Sequence, residues 1–118
     1  MSYNIDTWNT KEILCLKIPL TAIQEIEDTT IKIFNGGNVS VDGPAEVFEI
    51  TGKLTDGIVG VESIAVCGEG SGRAWNSLIE LLKQSTGELV AIQVWEGGDS
   101  ISRLTVVSGE VREQQIEI

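Results

Sequence analysis

Asp56-Gly57 is the feature that most constrains the fold of this chain, because it separates two runs of alternating apolar residues. Aspartate followed by glycine is typical of two-residue hairpin turns, in which both residues adopt positive φ angles. A two-residue loop brings apolar side chains together on one face. The predicted cross-strand pairs are Leu54–Val59, Gly52–Val61 and, on the other face, Thr51–Glu62. The pattern therefore predicts a β-hairpin over residues 47–67.

Two further glycine-rich turns predict hairpins over residues 30–42 and 89–107. In the first, a three-residue loop over 35–37 matches apolar residues across the strands, whereas a two-residue loop at Gly36-Gly37 sets isoleucines opposite Asp42 and Ser40. The matching favours the longer loop, with Gly37 in a left-handed conformation. The pairs predicted for both hairpins are Ile33–Val39, Ile31–Val41, Ile92–Leu104, Val90–Val106 and Trp95–Ile101.

One amphipathic helix is predicted over about residues 73–85 and ends before Gly87. Its apolar residues recur at helical spacing: Trp75, Leu78, Ile79 and Leu82. Upstream, residues 13–20 predict a buried strand that ends near Pro19. Residues 21–29 are ambiguous, since Thr21 and Gln24 have the spacing of a helix capping box.

The end of the chain and the segment around the helix complete the fold prediction. Residues 111–118 are polar and follow the turn Ser108-Gly109, which predicts an edge strand. If the strands within 61–95 are parallel neighbours, their helical crossover is right-handed. We therefore predict a single α+β domain over residues 1–118. Its curved, mostly antiparallel sheet has seven or eight strands and packs on one main helix.

Charge and composition exclude several classes of function. The chain of 118 residues has 8 basic and 18 acidic residues, a net charge of −10. Nucleic acids and anionic membranes attract positive surfaces, so we expect neither as a partner. The chain has no histidine, which excludes histidine-assisted catalysis and histidine metal sites. We expect no metal, no cofactor, no signal peptide, reduced cysteines and a cytoplasmic location.

The loop CGEGSGR, from Cys67 to Arg73, leads into the predicted helix. Backbone N–H groups at a helix N-terminus attract anions and favour the thiolate form of a nearby cysteine. Cys67 is therefore a candidate catalytic nucleophile. The candidate anion-binding residues are Gly68, Gly70, Ser71, Gly72 and Arg73. The alternative is a buried cysteine followed by a tight turn.

The same loop resembles active-site loops of three families. The C-x5-R spacing of Cys67 and Arg73 resembles the signature of cysteine-dependent phosphatases, which implies a nucleophile and a phosphate-binding arginine. The order of strand, cysteine loop, helix, strand and Gly-Gly is similar to rhodanese-like sulfurtransferases. The G-x-G-x-G-R-A run is similar to the pyrophosphate loop of N-acetyltransferases. The resemblances cover at most residues 61–98. Val66 and Ala74 depart from the phosphatase pattern, which has histidine before the cysteine and serine or threonine after the arginine.

Three residues form a candidate interaction surface on the other face of the sheet: Trp95, Ile101 and Trp8. Tryptophan is enriched at binding hot spots. The leading prediction is a non-enzymatic binding or regulatory domain with a protein partner, or a homodimer formed through this surface. One alternative is a phosphatase-like or rhodanese-like enzyme, or an anion-binding domain, that uses the Cys67–Arg73 loop. The other is an acidic inhibitor or immunity-type partner of a basic protein.

Overall fold

The computed structural model describes residues 9–66, 72–96 and 100–117. The elements in these ranges are β1 (Asn9–Pro19), α1 (Leu20–Gln24), β2 (Thr30–Ile33), β3 (Asn38–Asp42), β4 (Phe48–Thr55), β5 (Ile58–Val66), α2 (Gly72–Lys83), β6 (Thr86–Glu96), β7 (Ser100–Val107) and β8 (Glu110–Glu117). Single 3-10 turns lie at Asn35–Gly37 and Pro44–Glu46. The predicted α+β class with a mostly antiparallel sheet is confirmed.

The strands pair in the order β2-β3-β4-β5-β1-β6-β7-β8. Because β1 pairs antiparallel with both β5 and β6, those two strands run in the same direction but do not pair with each other. The two strands of the segment 61–95 are therefore not parallel neighbours, as was considered from the sequence, because β1 lies between β5 and β6. Strand β8 lies at one edge of the sheet, as predicted, and β2 lies at the other.

The β4–β5 hairpin has the predicted two-residue turn, with Asp56 and Gly57 at φ 52° and 76°. The pairs Leu54–Val59 and Gly52–Val61 are confirmed. Thr51 pairs with Ser63 rather than Glu62, because the register shifts after Thr51 and leaves Glu62 as an extra residue. This shift is required because Val61 and Ile64 are both buried although they are three positions apart, a spacing that puts side chains on opposite faces of a regular strand.

The other two hairpins also follow their turn chemistry. In the β2–β3 hairpin, Ile33 pairs with Val39 and Ile31 with Val41 around the predicted three-residue loop. Both Gly36 and Gly37 have positive φ angles. The β6–β7 hairpin contains the predicted pairs Ile92–Leu104 and Trp95–Ile101. The predicted pair Val90–Val106 is wrong, since the register shifts between Leu89 and Ile92 and Leu89 pairs with Val106.

The core lies between the sheet and the helices. Helix α2 buries Ala74, Leu78, Leu81 and Leu82 completely. Trp75 and Ile79, predicted as part of the core stripe, are only partly buried, and the Trp75 Nε1–H donates a hydrogen bond to Glu113 on β8 at 3.1 Å. The buried stripe is therefore centred closer to Ala74 and Leu81 than the spacing predicted.

Helix α1 is a single short turn that buries Ala22 and Ile23. Its N-cap is Pro19, with no side-chain cap, so the capping box considered for Thr21 and Gln24 does not form. Neither helix of the described residues is long and apolar enough to cross a membrane.

Candidate binding cleft

Most residues of the predicted anion-binding loop are not described by the structure. Cys67, Gly68, Gly70 and Ser71 lie outside the described residues. Gly72 begins α2, and Arg73 follows it in the first turn. Their use as a catalytic or anion-binding loop therefore stays a prediction, and Arg73 is the only side chain of that loop whose contacts are described.

The predicted interaction surface is described only through its backbone. Trp95 and Ile101 lie directly opposite each other in the β6–β7 hairpin. Their side chains, and the whole of Trp8, lie outside the described part of the chain. The register places the two residues on one face, as predicted, and their role in contacts with a partner stays a prediction.

Arg73 instead belongs to a cleft of about 610 Å³ formed by three segments distant in sequence. The segments are the loop after α1, the turn between β3 and β4, and one face of α2. The lining residues are Glu25, Ile26, Glu27, Asp28, Pro44, Ala45, Arg73, Ser77 and Glu80. The helical residues lie at i, i+4 and i+7, so they share one face of α2.

The walls of this cleft are fixed to the body of the protein. Ile26 is half-buried and packs against the hydrophobic core. The turn between β3 and β4 is closed by two backbone hydrogen bonds, from Glu46 N–H to the Gly43 carbonyl and from Val47 N–H to the Pro44 carbonyl, both 3.1 Å. These contacts keep the two loops in position beside α2.

One ion pair bridges the cleft. Nη2 of Arg73 donates a hydrogen bond to Oε2 of Glu27 at 3.0 Å. The two side chains are 79% and 80% exposed, respectively. Ion pairs this exposed contribute about 0.2–1 kcal/mol because water screens them and both side chains lose freedom. The guanidinium is therefore held weakly, in a place that other cations can reach.

Carboxylates dominate the charge of the cleft. The acidic lining residues are Glu25, Glu27, Asp28 and Glu80. Arg73 is the only basic residue among the described lining residues, so this described part of the lining has a net charge of −3. Glu80 also forms an ion pair with Lys83 at 3.2 Å, just outside the lining. A phosphate group brought to Arg73 would meet this excess of negative charge, whereas a cationic group would be attracted.

Sequence reasoning identified only parts of the cleft. The acidic residues Glu25, Glu27 and Asp28 fall within four positions of the sequence, which is typical of a solvated charge cluster, and all three are exposed. What was missed is their position beside Arg73 and Glu80. The helical spacing of Arg73, Ser77 and Glu80 was a readable signal for one wall, but nothing in the sequence indicates which loop faces it.

No family model, no curated protein and no solved structure matches this chain. The geometry of the cleft is therefore the basis for the proposed function. Within residues 9–66, 72–96 and 100–117, no group of three acidic or cysteine side chains is arranged to hold a metal ion.

Proposed function

We propose that this protein is a non-enzymatic binding domain whose protein partner presents a basic segment to the cleft. The observation that carries the proposal is the Arg73–Glu27 pair, in which the cleft already receives one guanidinium among four carboxylates. An arginine of a partner would meet the same chemistry. Two parallel hydrogen bonds between guanidinium and carboxylate would hold it more firmly than one.

The shape of the cleft also suits a long basic side chain. Its volume of about 610 Å³ falls within the range of roughly 300–1,000 Å³ found for binding sites. Ile26, Pro44 and Ala45 supply an apolar part of the lining. Lysine and arginine bury their aliphatic stems on such surfaces while their charged ends meet carboxylates.

The charge of the whole chain supports the same kind of partner. A net charge of −10 attracts a basic protein over distances longer than any single contact, and it opposes association of two copies. Such steering mainly raises the rate of association, while the cleft supplies contacts at a defined place.

The experiment is fluorescence anisotropy with a short labelled peptide that contains alternating arginine and glycine, at low salt. We expect binding that Glu27→Gln weakens by up to about fivefold, the effect of losing one exposed ion pair. The matched control is Glu62→Gln, which removes the same charge from an exposed residue on β5, away from the cleft. Equal weakening by both variants, or no binding, would overturn the proposal.

The enzymatic alternative at Cys67 is tested separately. We expect the wild type and Cys67→Ser to show the same negligible turnover of an aryl phosphate and of thiosulfate. Turnover that is lost in Cys67→Ser while the circular dichroism spectrum is unchanged would replace the binding proposal with a thiolate enzyme.

The homodimer through Trp95, Ile101 and Trp8 stays a prediction about a second surface. Sedimentation velocity over a range of concentrations tests it. A dimer in the wild type that is absent in Trp95→Ala would support this surface, and a monomer throughout would exclude it.

A further inference from the structure

A second surface, with lysines in place of the carboxylates of the cleft, lies at one corner of the outer face of the sheet, while Asp42 and Glu49 lie on the same face at the other end of β3 and β4. The core face of β2–β5 carries buried side chains such as Val39, Ile50 and Val59. The outer face carries the residues that alternate with them. Phe34 continues this outer face at the end of β2, because its backbone is extended and its N–H donates to the Asn38 carbonyl at 2.7 Å.

Three lysines share this face with Phe34. Lys53 lies opposite Asn38 on one side and Gly60 on the other, and Lys17 lies opposite Gly60. Neighbouring strands are about 4.8 Å apart, so Lys53 lies roughly 10 Å from both Phe34 and Lys17. Lys32 is two residues before Phe34, about 7 Å away on the same face.

These lysines differ from the other basic residues whose side chains are described, because they form no ion pair. Arg73, Lys83 and Arg112 each form an ion pair with a carboxylate. Lys17, Lys32 and Lys53 are exposed and form an ion pair with no described residue, although the chain has 18 acidic residues. Their positive charge is therefore available to a partner.

Apolar surface accompanies this charge. Phe34 is 54% exposed and Ile33 is 56% exposed, on opposite faces of the edge strand β2. Because the Phe34 N–H points to β3, the backbone N–H and C=O of Ile33 point away from it. No strand of the described residues pairs with this outer edge.

We propose that this basic corner, formed by Lys17, Lys32, Lys53, Phe34 and Ile33, binds an acidic segment of a partner protein. Carboxylates of the segment form ion pairs with the lysines, and an apolar side chain of the segment packs against Phe34. An extended segment also gains backbone hydrogen bonds from the edge of β2. Nucleic acid is disfavoured as the occupant, because a strand of phosphates would extend beyond the three lysines onto a chain with a net charge of −10, whereas a short acidic segment needs to reach only the lysines. This proposal does not depend on the acidic cleft.

The test is anisotropy with three short labelled probes: an acidic peptide with two central leucines, the same peptide with serines in their place, and oligothymidylate. We expect the leucine peptide to bind best. Phe34→Ala and Lys53→Ala should each weaken its binding by about tenfold, and Lys53→Arg should restore it. All of these side chains are exposed, so we expect the variants to stay folded.

The controls are an equally exposed apolar residue and an exposed lysine elsewhere: Val107→Ala, at 52% exposure, and Lys83→Ala. Both should leave the affinity for the leucine peptide unchanged. Equal weakening by the controls, absence of binding, or preference for oligothymidylate would overturn the basic corner as a protein site. Binding of the arginine peptide in the Phe34→Ala variant separates this failure from a failure of the cleft.

Discussion

Arg73 on α2 and Glu27 in the loop after α1 are 46 positions apart in sequence, yet Nη2 of Arg73 lies 3.0 Å from Oε2 of Glu27. This contact changes the interpretation of Arg73. The glycine-rich sequence around it predicts an arginine that binds an external anion, whereas its described partner is a carboxylate of the same chain. In the proposed cleft, Arg73 occupies the carboxylate that a basic partner would use.

Arg73→Ala is therefore expected to strengthen binding of the arginine peptide. The variant frees Glu27 and makes the lining more negative. Release of a pair worth about 0.2–1 kcal/mol corresponds to a gain of up to roughly fivefold in affinity. Anisotropy titrations measure it. Arg112→Ala is the control, because it removes the same charge from β8 and breaks a similar exposed pair with Glu110 at 3.1 Å. Weaker binding in Arg73→Ala, or an equal gain in the control, would contradict the displacement of Arg73.

The affinity for the arginine peptide is expected to fall steeply as salt is added. The cleft is open to solvent, and exposed charges are screened within about 10 Å at 0.1 M salt. Glu27→Gln should show a shallower dependence than the wild type, because one of the screened contacts is already absent. Titrations at several salt concentrations give both slopes. Equal slopes would show that Glu27 makes no contact with the peptide.

Gly52→Ala is expected to destabilise the fold. A Cβ added at this buried position on β4 would overlap the carbonyl oxygen of Gly60 and lie 3.0 Å from its carbonyl carbon. Both neighbours are backbone, so the strands must separate, at a cost of about 1–3 kcal/mol in the free energy of unfolding. Gly60→Ala is the matched control, since its Cβ would meet only the Lys53 carbonyl oxygen, at 3.7 Å. Urea unfolding of both variants tests this, and similar stabilities would contradict the close approach.

The hairpins were predictable because their information is local. Asp56-Gly57 sets the turn, and the apolar alternation beside it sets the register within a few residues. The shift at Glu62 was readable as well, since Val61 and Ile64 require a change of alternation between them. The position of β1 was not predictable. Its residues are apolar on both faces, and no short turn ties it to β5 or β6, so only packing of the complete sheet places it between them.

The cleft shows the same limit. Each of its walls follows from local sequence: the acidic loop 25–28, the turn at Pro44 and the polar face of α2. Their meeting depends on the sheet order and on where the buried side of α2 lies. The apolar spacing centred that side near Trp75, and the structure centres it on Ala74 and Leu81. This difference corresponds to a rotation of α2 about its own axis, and that rotation decides which helical residues face the acidic loop.

Ala45→Gly is expected to stabilise the protein. Ala45 lines the cleft with φ at 53°, a left-handed conformation that costs a residue with a Cβ about 1–2 kcal/mol. Glycine removes this cost but adds about 0.4–1 kcal/mol of chain freedom to the unfolded state, so the net gain is about 0.5 kcal/mol. Ala65→Gly on β5 is the control: Ala65 is not among the residues with positive φ, so glycine there should destabilise by about 0.5–1 kcal/mol. Urea unfolding should thus show that alanine-to-glycine substitution raises the free energy of unfolding at position 45 and lowers it at position 65.

Affinity for the arginine peptide should stay unchanged in Ala45→Gly, because only a methyl group leaves the lining. A loss of stability in both variants would mean that the turn between β3 and β4 does not hold Ala45 in the left-handed region.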